Sequence, residues 1–247
     1  MPEQFTRVAA IYDAIMASIP YEIWVDYCLK LARSFEGRPE SVLDLACGTG
    51  NVAFAFHRRG FKVAGVDYSE TMIAEARRKA KDLGIDIPFY HQDMRSLDLK
   101  AQFDLVVCLF DSLNYLIRLE DVEAACVGVA RHLNPGGLFI FDVNTRYALE
   151  KGFFDQSNLD SRHGPLYIWK STFNPETCIC QVVMNFLGNR HDPTTRFQEI
   201  HYQRAYTIPE LTQALQQAGL TVLAIYDAFS TNKPRARSDR LHFVACR

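Results

Sequence analysis

The chain has 247 residues, 48% of them hydrophobic and 23% charged, with a formal net charge of −2 and a pI near 6.4. Those values fit one globular domain of ample core, or one domain with a sizeable insertion, and they disfavour a nucleic-acid binder, which usually presents a basic face. No apolar run reaches the length of a membrane span, and Met1–Phe5 lacks the basic-then-apolar start of a secretory signal, so a cytoplasmic location is expected.

From about Phe5 to Phe35, apolar residues recur at helical spacing (Ile11, Ile15 and Ile19, then Val25, Leu29 and Leu31). Pro20 divides that stretch into two helices, because proline disfavours helix at the residue before it. Strands and helices then alternate: strand 42–46, helix 50–58, strand 62–66, helix 70–83, strands 87–90 and 103–109, helix 120–132 and strand 137–143. Short strands interleaved with amphipathic helices imply a parallel sheet covered on both faces. The run Phe103-Asp104-Leu105-Val106-Val107-Cys108-Leu109 reads as a central strand, and Pro135-Gly136-Gly137 as the break that turns a helix into the next strand.

After Asn144 the alternation stops. The next convincing helix opens at Thr207, with Pro209 and Glu210 in its first turn and Gly219 at its end. Between them, Pro165–Phe173, Cys178–Leu187 and Arg196–Tyr206 read as three antiparallel strands, with Asn174–Thr177 as a tight turn. Leu220–Tyr226 and Leu241–Cys246 suit a closing hairpin with a long link. Seven cysteines, an odd count in mostly apolar contexts, read as reduced core thiols. Cys178 and Cys180 alternate on one side of an expected strand, and no nearby Cys or His pair completes a zinc pattern, so no metal site is expected.

The run Ser41-Val42-Leu43-Asp44-Leu45-Ala46-Cys47-Gly48-Thr49-Gly50 puts an acid before a glycine turn at the end of a buried strand, and Asp67 closes the next strand. Glycines there let the backbone approach a ligand, and an acid closing the following strand commonly grips a ribose. Asp44 would repel a pyrophosphate but suits a ligand carrying an ammonium and a sulfonium. The loose dinucleotide pattern Gly48-x-Gly50-x-x-Ala53 also fits a nicotinamide-binding turn. Asp44 and the missing phosphate partners weigh against that alternative.

The same residues resemble the D-x-x-x-G-x-G signature of the class I methyltransferases, read here as Asp44, Gly48 and Gly50. The resemblance extends through Val66-Asp67-Tyr68-Ser69, Gln92-Asp93-Met94 and Leu133-Asn134-Pro135-Gly136-Gly137, and so covers roughly residues 40 to 145. It implies an α/β Rossmann-like fold: a mostly parallel seven-stranded sheet with helices on both faces, plus a small antiparallel β insertion. S-adenosyl-L-methionine would be the cofactor and S-adenosyl-L-homocysteine the product. The implied organisation is residues 1–37 as helices covering the cofactor, 38–144 with 207–247 as the binding domain, and 145–206 as the insertion.

By that resemblance, Ala46, Cys47, Gly48, Thr49 and Gly50 offer backbone to the methionine part, and Asp44 draws its ammonium. Asp67 takes the ribose hydroxyls, with Tyr68 and Met72 beside the nucleoside. Gln92, Asp93 and Met94 frame the adenine, and Leu109, Phe110 and Asp111 approach the sulfonium. Tyr12 resembles the tyrosine that small-molecule methyltransferases place over the cofactor, where a ring face favours a cation. Each has a plainer structural reading: Asp67 with Ser69 and Glu70 can simply start a helix, and Tyr12 can be a packed helix tyrosine.

Displacement at a sulfonium needs an aligned nucleophile and a dry site, with little acid–base help when the acceptor is a neutral amine. The acceptor is expected to meet Asn114 and Tyr115, and the inserted strands to roof it with Trp169, Arg190, His201, Tyr202, Arg204 and Tyr206. His201 is the candidate base, with Tyr12 the other candidate catalytic group. The insertion suits a homodimer contact equally well. The expected activity is methyl transfer to a small molecule, amine nitrogen slightly ahead of oxygen, without nucleic-acid or membrane partners. The alternatives are tRNA or protein methylation, with Lys233–Arg240 as docking surface, and a non-catalytic cofactor-binding regulator.

Overall fold

In the computed structural model, which describes residues 4–160, 165–188 and 195–247, β1 (Ser41–Leu45) lies inside a seven-stranded sheet. Val42, Leu43 and Leu45 are wholly buried, as expected of a strand covered on both faces. Beside it stand β2 (Lys62–Asp67), β3 (Phe89–His91), β4 (Phe103–Cys108) and β5 (Leu133–Asn144), all joined by parallel pairing. β10 (Thr221–Asp227) and β11 (Arg240–Cys246) complete the order β10-β11-β5-β4-β1-β2-β3, with β11 antiparallel to both neighbours. The chain moves one way from β1 to β3 and the other way from β4 to β5. The crevice beyond the carboxyl ends of β1 and β4 is therefore the place where such sheets bind ligands.

Helices α2 (Tyr21–Ser34), α3 (Asn51–Arg58) and α4 (Glu70–Leu83) pack one face of the sheet; α5 (Leu119–His132) and α7 (Ile208–Gln217) pack the other. Ser69 caps α4 by accepting from the Met72 amide, and Gly84 ends it at φ 65°. Thr207 and Glu210 form a reciprocal capping box at the start of α7. These local devices fix where α4 and α7 begin, and for α4 which residues the turn after β2 presents.

The insertion departs from the sequence expectation. A short helix, α6 (Arg146–Glu150), follows Asn144 directly, started by Thr145 accepting from the Ala148 amide. The second sheet has four strands rather than three: β6 (Gln156–Asn158), β7 (Tyr167–Asn174), β8 (Ile179–Phe186) and β9 (Phe197–Arg204), paired in that order. β6 carries no apolar pattern, so only its pairing to Tyr167–Trp169 makes it a strand. Cys178 is not in β8 at all; it sits in the preceding turn at φ 57°. In the main sheet, β3 starts after Pro88 and β5 reaches back to Leu133, with a register shift where Pro135-Gly136-Gly137 bulges.

Strand alternation divides the small sheet into two faces. Trp169, Met184 and Glu199 are cross-strand neighbours, as are Ser171, Val182 and His201. This inner face packs against Val8, Ala9, Met72 and Leu149, which makes a third apolar cluster between the insertion, the N-terminal helix α1 (Ala9–Ile15) and the main domain.

Candidate active site

The glycine turn after β1 is wound through positive φ at Ala46 (61°), Gly48 (54°) and Gly50 (84°). Asp67, at the end of β2, accepts from the Gly48 amide at 2.7 Å and from the Ser69 amide at 2.8 Å. A Cβ on Gly48 would meet nothing within 4 Å, whereas one on Gly50 would lie 2.8 Å from the Phe89 ring. Gly48 therefore opens onto the crevice, and Gly50 is needed for packing.

Asp44 is buried, and its Oδ2 has no hydrogen-bond partner. Burial pushes its pKa up to about 8; the Ala53 amide opposes the shift and the Asp67 charge adds to it. Tyr21 Oη, also buried and without a partner although Asn51 lies near, feels the Asp44 charge and is pushed up to about 12, chiefly by burial. Buried polar atoms are nearly always paired, so two orphans in one space point to a polar ligand group. Sequence reasoning passed over Tyr21. Its only signal was its place directly after Pro20, at the start of α2.

On the nucleoside side, Tyr68 is 62% exposed at the rim. Asp93 is held by its neighbour, accepting from the Arg95 amide and guanidinium at 2.9 and 2.5 Å, while Met94 is half-buried against the α5 side of the core. Gln92 is committed to a local clasp, donating to Asp98 O and accepting from the Asp98 amide, both at 3.0 Å. Met72 is buried in the third cluster, where it supports the N-terminal helix. Leu109 is buried in the apolar cluster on the α2–α3 side of the sheet, and the Phe110 ring lies against Trp24, tilted by 31° with centroids 4.1 Å apart.

Phe110 and Asp111 are consecutive non-glycine residues at φ 61° and 52°. Such backbone is strained by about 1–3 kcal/mol per residue and persists only when its surroundings hold it. Asp111 is held on every side. It accepts from Arg240 Nη2 at 2.8 Å and from Gln203 Nε2 at 2.5 Å, and its amide donates to Asp142 Oδ2 at 2.9 Å. Arg240 also pairs with Asp142. Arg235 pairs with Asp227, so two of the basic residues between 233 and 240 are already matched to carboxylates. Asn114, expected at the acceptor, is fully buried and fastens β5 to β9: it donates to Asn144 O at 3.1 Å and Arg204 O at 2.8 Å, and accepts from the Asn144 amide at 2.9 Å.

The N-terminal segment closes this crevice from above. Asp13 accepts from Thr49 Oγ1 at 2.6 Å, Asn51 Nδ2 at 2.9 Å and Lys79 Nζ at 2.6 Å, which ties α1 to the glycine turn. At the other end, Glu199 accepts from the amides of Phe5, Arg7 and Val8 at 2.8–3.1 Å. Tyr12 stands between. Its hydroxyl is pushed well up by burial first, then by Tyr21, Tyr115, Asp111 and Asp67, so one phenol senses the ends of β2 and β4 together.

His201 is wholly buried on the inner face; its Nε2 lies 2.9 Å from Glu199 and its Nδ1 3.3 Å from Tyr115 Oη. Trp169 shares that face, and its buried Nε1 has no partner. The remaining expected acceptor contacts do not join them. Tyr202 and Arg204 project from the opposite face of β9, Tyr202 accepting from Gln181 at 2.9 Å and Arg204 pairing with Glu210 at 2.8 Å. Tyr206 is buried in the α5–α7 core, its hydroxyl donating to Leu116 O. One-residue alternation separates side chains that are neighbours in sequence. Arg190 lies outside the described residues.

Comparison with known proteins places these features. The family model described as "Methyltransferase domain" matches residues 42–137. The chain is 34% identical to YqeM of Bacillus subtilis (strain 168), over 96% of this chain and 94% of that protein. It is 27% identical, over 86% of this chain and 84% of the other, to dTDP-4-amino-2,3,4,6-tetradeoxy-D-glucose N,N-dimethyltransferase of Saccharopolyspora spinosa. The crystal structure of an S-adenosylmethionine-dependent methyltransferase from Clostridium acetobutylicum ATCC 824 superposes with a TM-score of 0.84 at 30% identity, covering 96% of both chains. The orphaned Asp44 Oδ2 and Tyr21 Oη, and the open space before Gly48, fit the amino-acid end of S-adenosylmethionine.

Proposed function

This chain belongs to the S-adenosylmethionine-dependent methyltransferases, and from that premise we propose that it methylates an amine nitrogen of a small polar molecule. When bound, S-adenosylmethionine supplies a methyl group on a sulfonium, an activated electrophile. Asp44 and Tyr21 would hold its amino-acid end, the backbone at Gly48 would admit it closely, and Asp67 and Asp93 would take the ribose and the adenine. Asp67 would exchange the Gly48 amide for ribose hydroxyls or share them.

The observation that carries the acceptor reading is the enclosure at the end of β4. Phe5, whose amide is held by Glu199 on the inner face of the insertion, lies against both Tyr12 and Tyr115, with ring centroids 6.2 and 5.2 Å apart. Tyr12 in turn feels the charge of Asp111 in the strained turn at the end of β4. A cover of this kind keeps water from a reacting centre and, in this reading, suits a small acceptor rather than a duplex or a folded protein. A relative that carries an amino-sugar N,N-dimethyltransferase name across most of both chains favours nitrogen. The insertion, 145–206, serves in this reading as the roof of the acceptor site, and residues 1–37 as the cover of the cofactor. Among the described residues no helix is long and apolar enough to cross a membrane, and the seven free cysteines accord with a reducing, cytoplasmic setting.

The test is incubation with S-adenosylmethionine and a panel of amines and alcohols that includes dTDP-linked amino sugars, followed by mass spectrometry. N-methylated product from at least one amino sugar is the expected outcome. Methylation of oxygen alone, or of transfer RNA alone, would overturn the reading.

A further inference from the structure

We propose that Tyr115 takes a proton from the acceptor ammonium while passing its own to His201, whose imidazole Glu199 holds in place. The inference rests on the amine reading above, because only an acceptor that arrives protonated needs such help. An ammonium has no lone pair with which to attack a methyl group, so a base must strip it first.

The geometry fixes the direction of each hydrogen bond. Glu199 accepts from three backbone amides, and its pKa is held below the usual range: burial raises it, but the bonds from His201 and Val8 outweigh that. It is therefore a carboxylate, and His201 Nε2, 2.9 Å away, must donate to it. In the neutral ring that leaves Nδ1 bare, 3.3 Å from the Tyr115 hydroxyl, which donates to it. His201 is wholly buried and cannot reach an acceptor itself. Tyr115 is half-buried, with Tyr12 in its field, and in this proposal it is the group that faces the acceptor. Burial also pushes the Tyr115 phenol far up, so it stands protonated and is a base only while His201 receives its proton. In this proposal Tyr115, rather than the expected His201, is the catalytic residue, and His201 with Glu199 is the positioning pair.

The step balances. An N–H bond of the ammonium breaks as an O–H bond forms on Tyr115; the original O–H breaks as an N–H forms at His201 Nδ1. The imidazolium then faces the Glu199 carboxylate. The other groups around the pair are Gln203, whose side chain hydrogen-bonds Tyr115, Asp111 and Cys180, both in the field of Tyr115, Tyr12 close by, and the uncharged Phe5 ring, 4.5 Å from His201 and 5.2 Å from Tyr115. Phe5 shields the relay from water. Since the Phe5 amide is one of the donors that Glu199 binds, the cover and the relay are built together.

The test uses Tyr115→Phe, which removes one oxygen, with a dTDP-linked 4-amino sugar as the probe acceptor. Near neutral pH, kcat should fall about 100-fold while the KM for S-adenosylmethionine holds, and the deficit should narrow as pH rises through the pKa of the amine. Independently of turnover, nitrogen-15 NMR of the S-adenosylhomocysteine complex should show a neutral His201 ring protonated at Nε2, with its Nδ1 resonance moved by Tyr115→Phe. A proton on Nδ1, an Nδ1 resonance indifferent to Tyr115→Phe, or an undiminished kcat would overturn the relay. If the wild-type enzyme N-methylates no amine of the panel, it is the acceptor reading that falls, and the NMR measurement still decides the relay.

Discussion

Asp67 Oδ2 accepts from the Gly48 amide at 2.7 Å, so the acid that closes the second strand also holds the glycine turn that closes the first. Its other oxygen holds the Ser69 amide at 2.8 Å, where α4 starts. One carboxylate thus sets the spacing between two strand ends and a helix start. Hydrogen bonds to a charged group contribute about 1.5–3 kcal/mol each. Asp67→Ala should weaken S-adenosylhomocysteine binding about 10- to 100-fold by calorimetry and lower the melting temperature as well. Unchanged affinity would remove Asp67 from the cofactor site.

Asp44 links binding to protons. Its pKa, raised by burial to about 8 from an ordinary carboxylate value, means that the folded chain holds a proton that the unfolded chain has lost. Folding stability from this group is therefore lost as pH rises between roughly 4 and 8. A cofactor ammonium favours the ionised form, so binding near pH 7 should release a proton. Calorimetry in buffers of different ionisation enthalpy should detect that release in the wild type and a smaller one, or none, in Asp44→Asn. Equal release from both proteins would count against the assignment.

Two glycines in one turn should respond differently to alanine. At Gly50 the new Cβ would press on the Phe89 ring at 2.8 Å and adopt φ 84°, so Gly50→Ala should cost about 1–3 kcal/mol in chemical denaturation. Gly48→Ala meets open space at φ 54°, so its loss of stability should be smaller, near 1 kcal/mol. Its methyl group would instead occupy the crevice and weaken cofactor binding. Comparing denaturation midpoints with dissociation constants separates the two effects.

Arg240 lies between Asp111 and Asp142, both buried. Arg240→Met would leave two carboxylates facing each other without a cation, and breaking a buried pair in this way costs about 3–5 kcal/mol. The strained backbone at Asp111 should relax in the same variant. The expected result is a lowered melting temperature that partly recovers in mildly acidic solution, where Asp142, whose pKa burial already raises, can take a proton. A melting temperature equal to wild type would show that Gln203 and the backbone suffice to hold Asp111.

The doubly wound sheet was legible because its evidence is local and periodic. Val42–Leu45 and Phe103–Cys108 are largely apolar runs of strand length, and each is followed in the chain by a helix with an apolar period. Asp44, Gly48 and Asp67 were legible for the same reason: their chemistry is tied to the ends of those strands. The insertion was less so. α6 spans five residues, too few to show a period, and β6 has no apolar alternation and exists by pairing alone.

The chain's order of residues determined, unaided, where the glycine turn and its two acids fall, since burial of the alternating apolar segments leaves the sheet few other ways to close. Tertiary structure decided which side chains share a space. It set His201 against Tyr115, 86 positions apart, and Glu199 against the Phe5 amide, 194 positions apart, while turning Tyr202 and Arg204 to the far face. The physical reason is that a strand fixes only the parity of its side chains, and which parity faces the crevice depends on packing against segments far away in the chain.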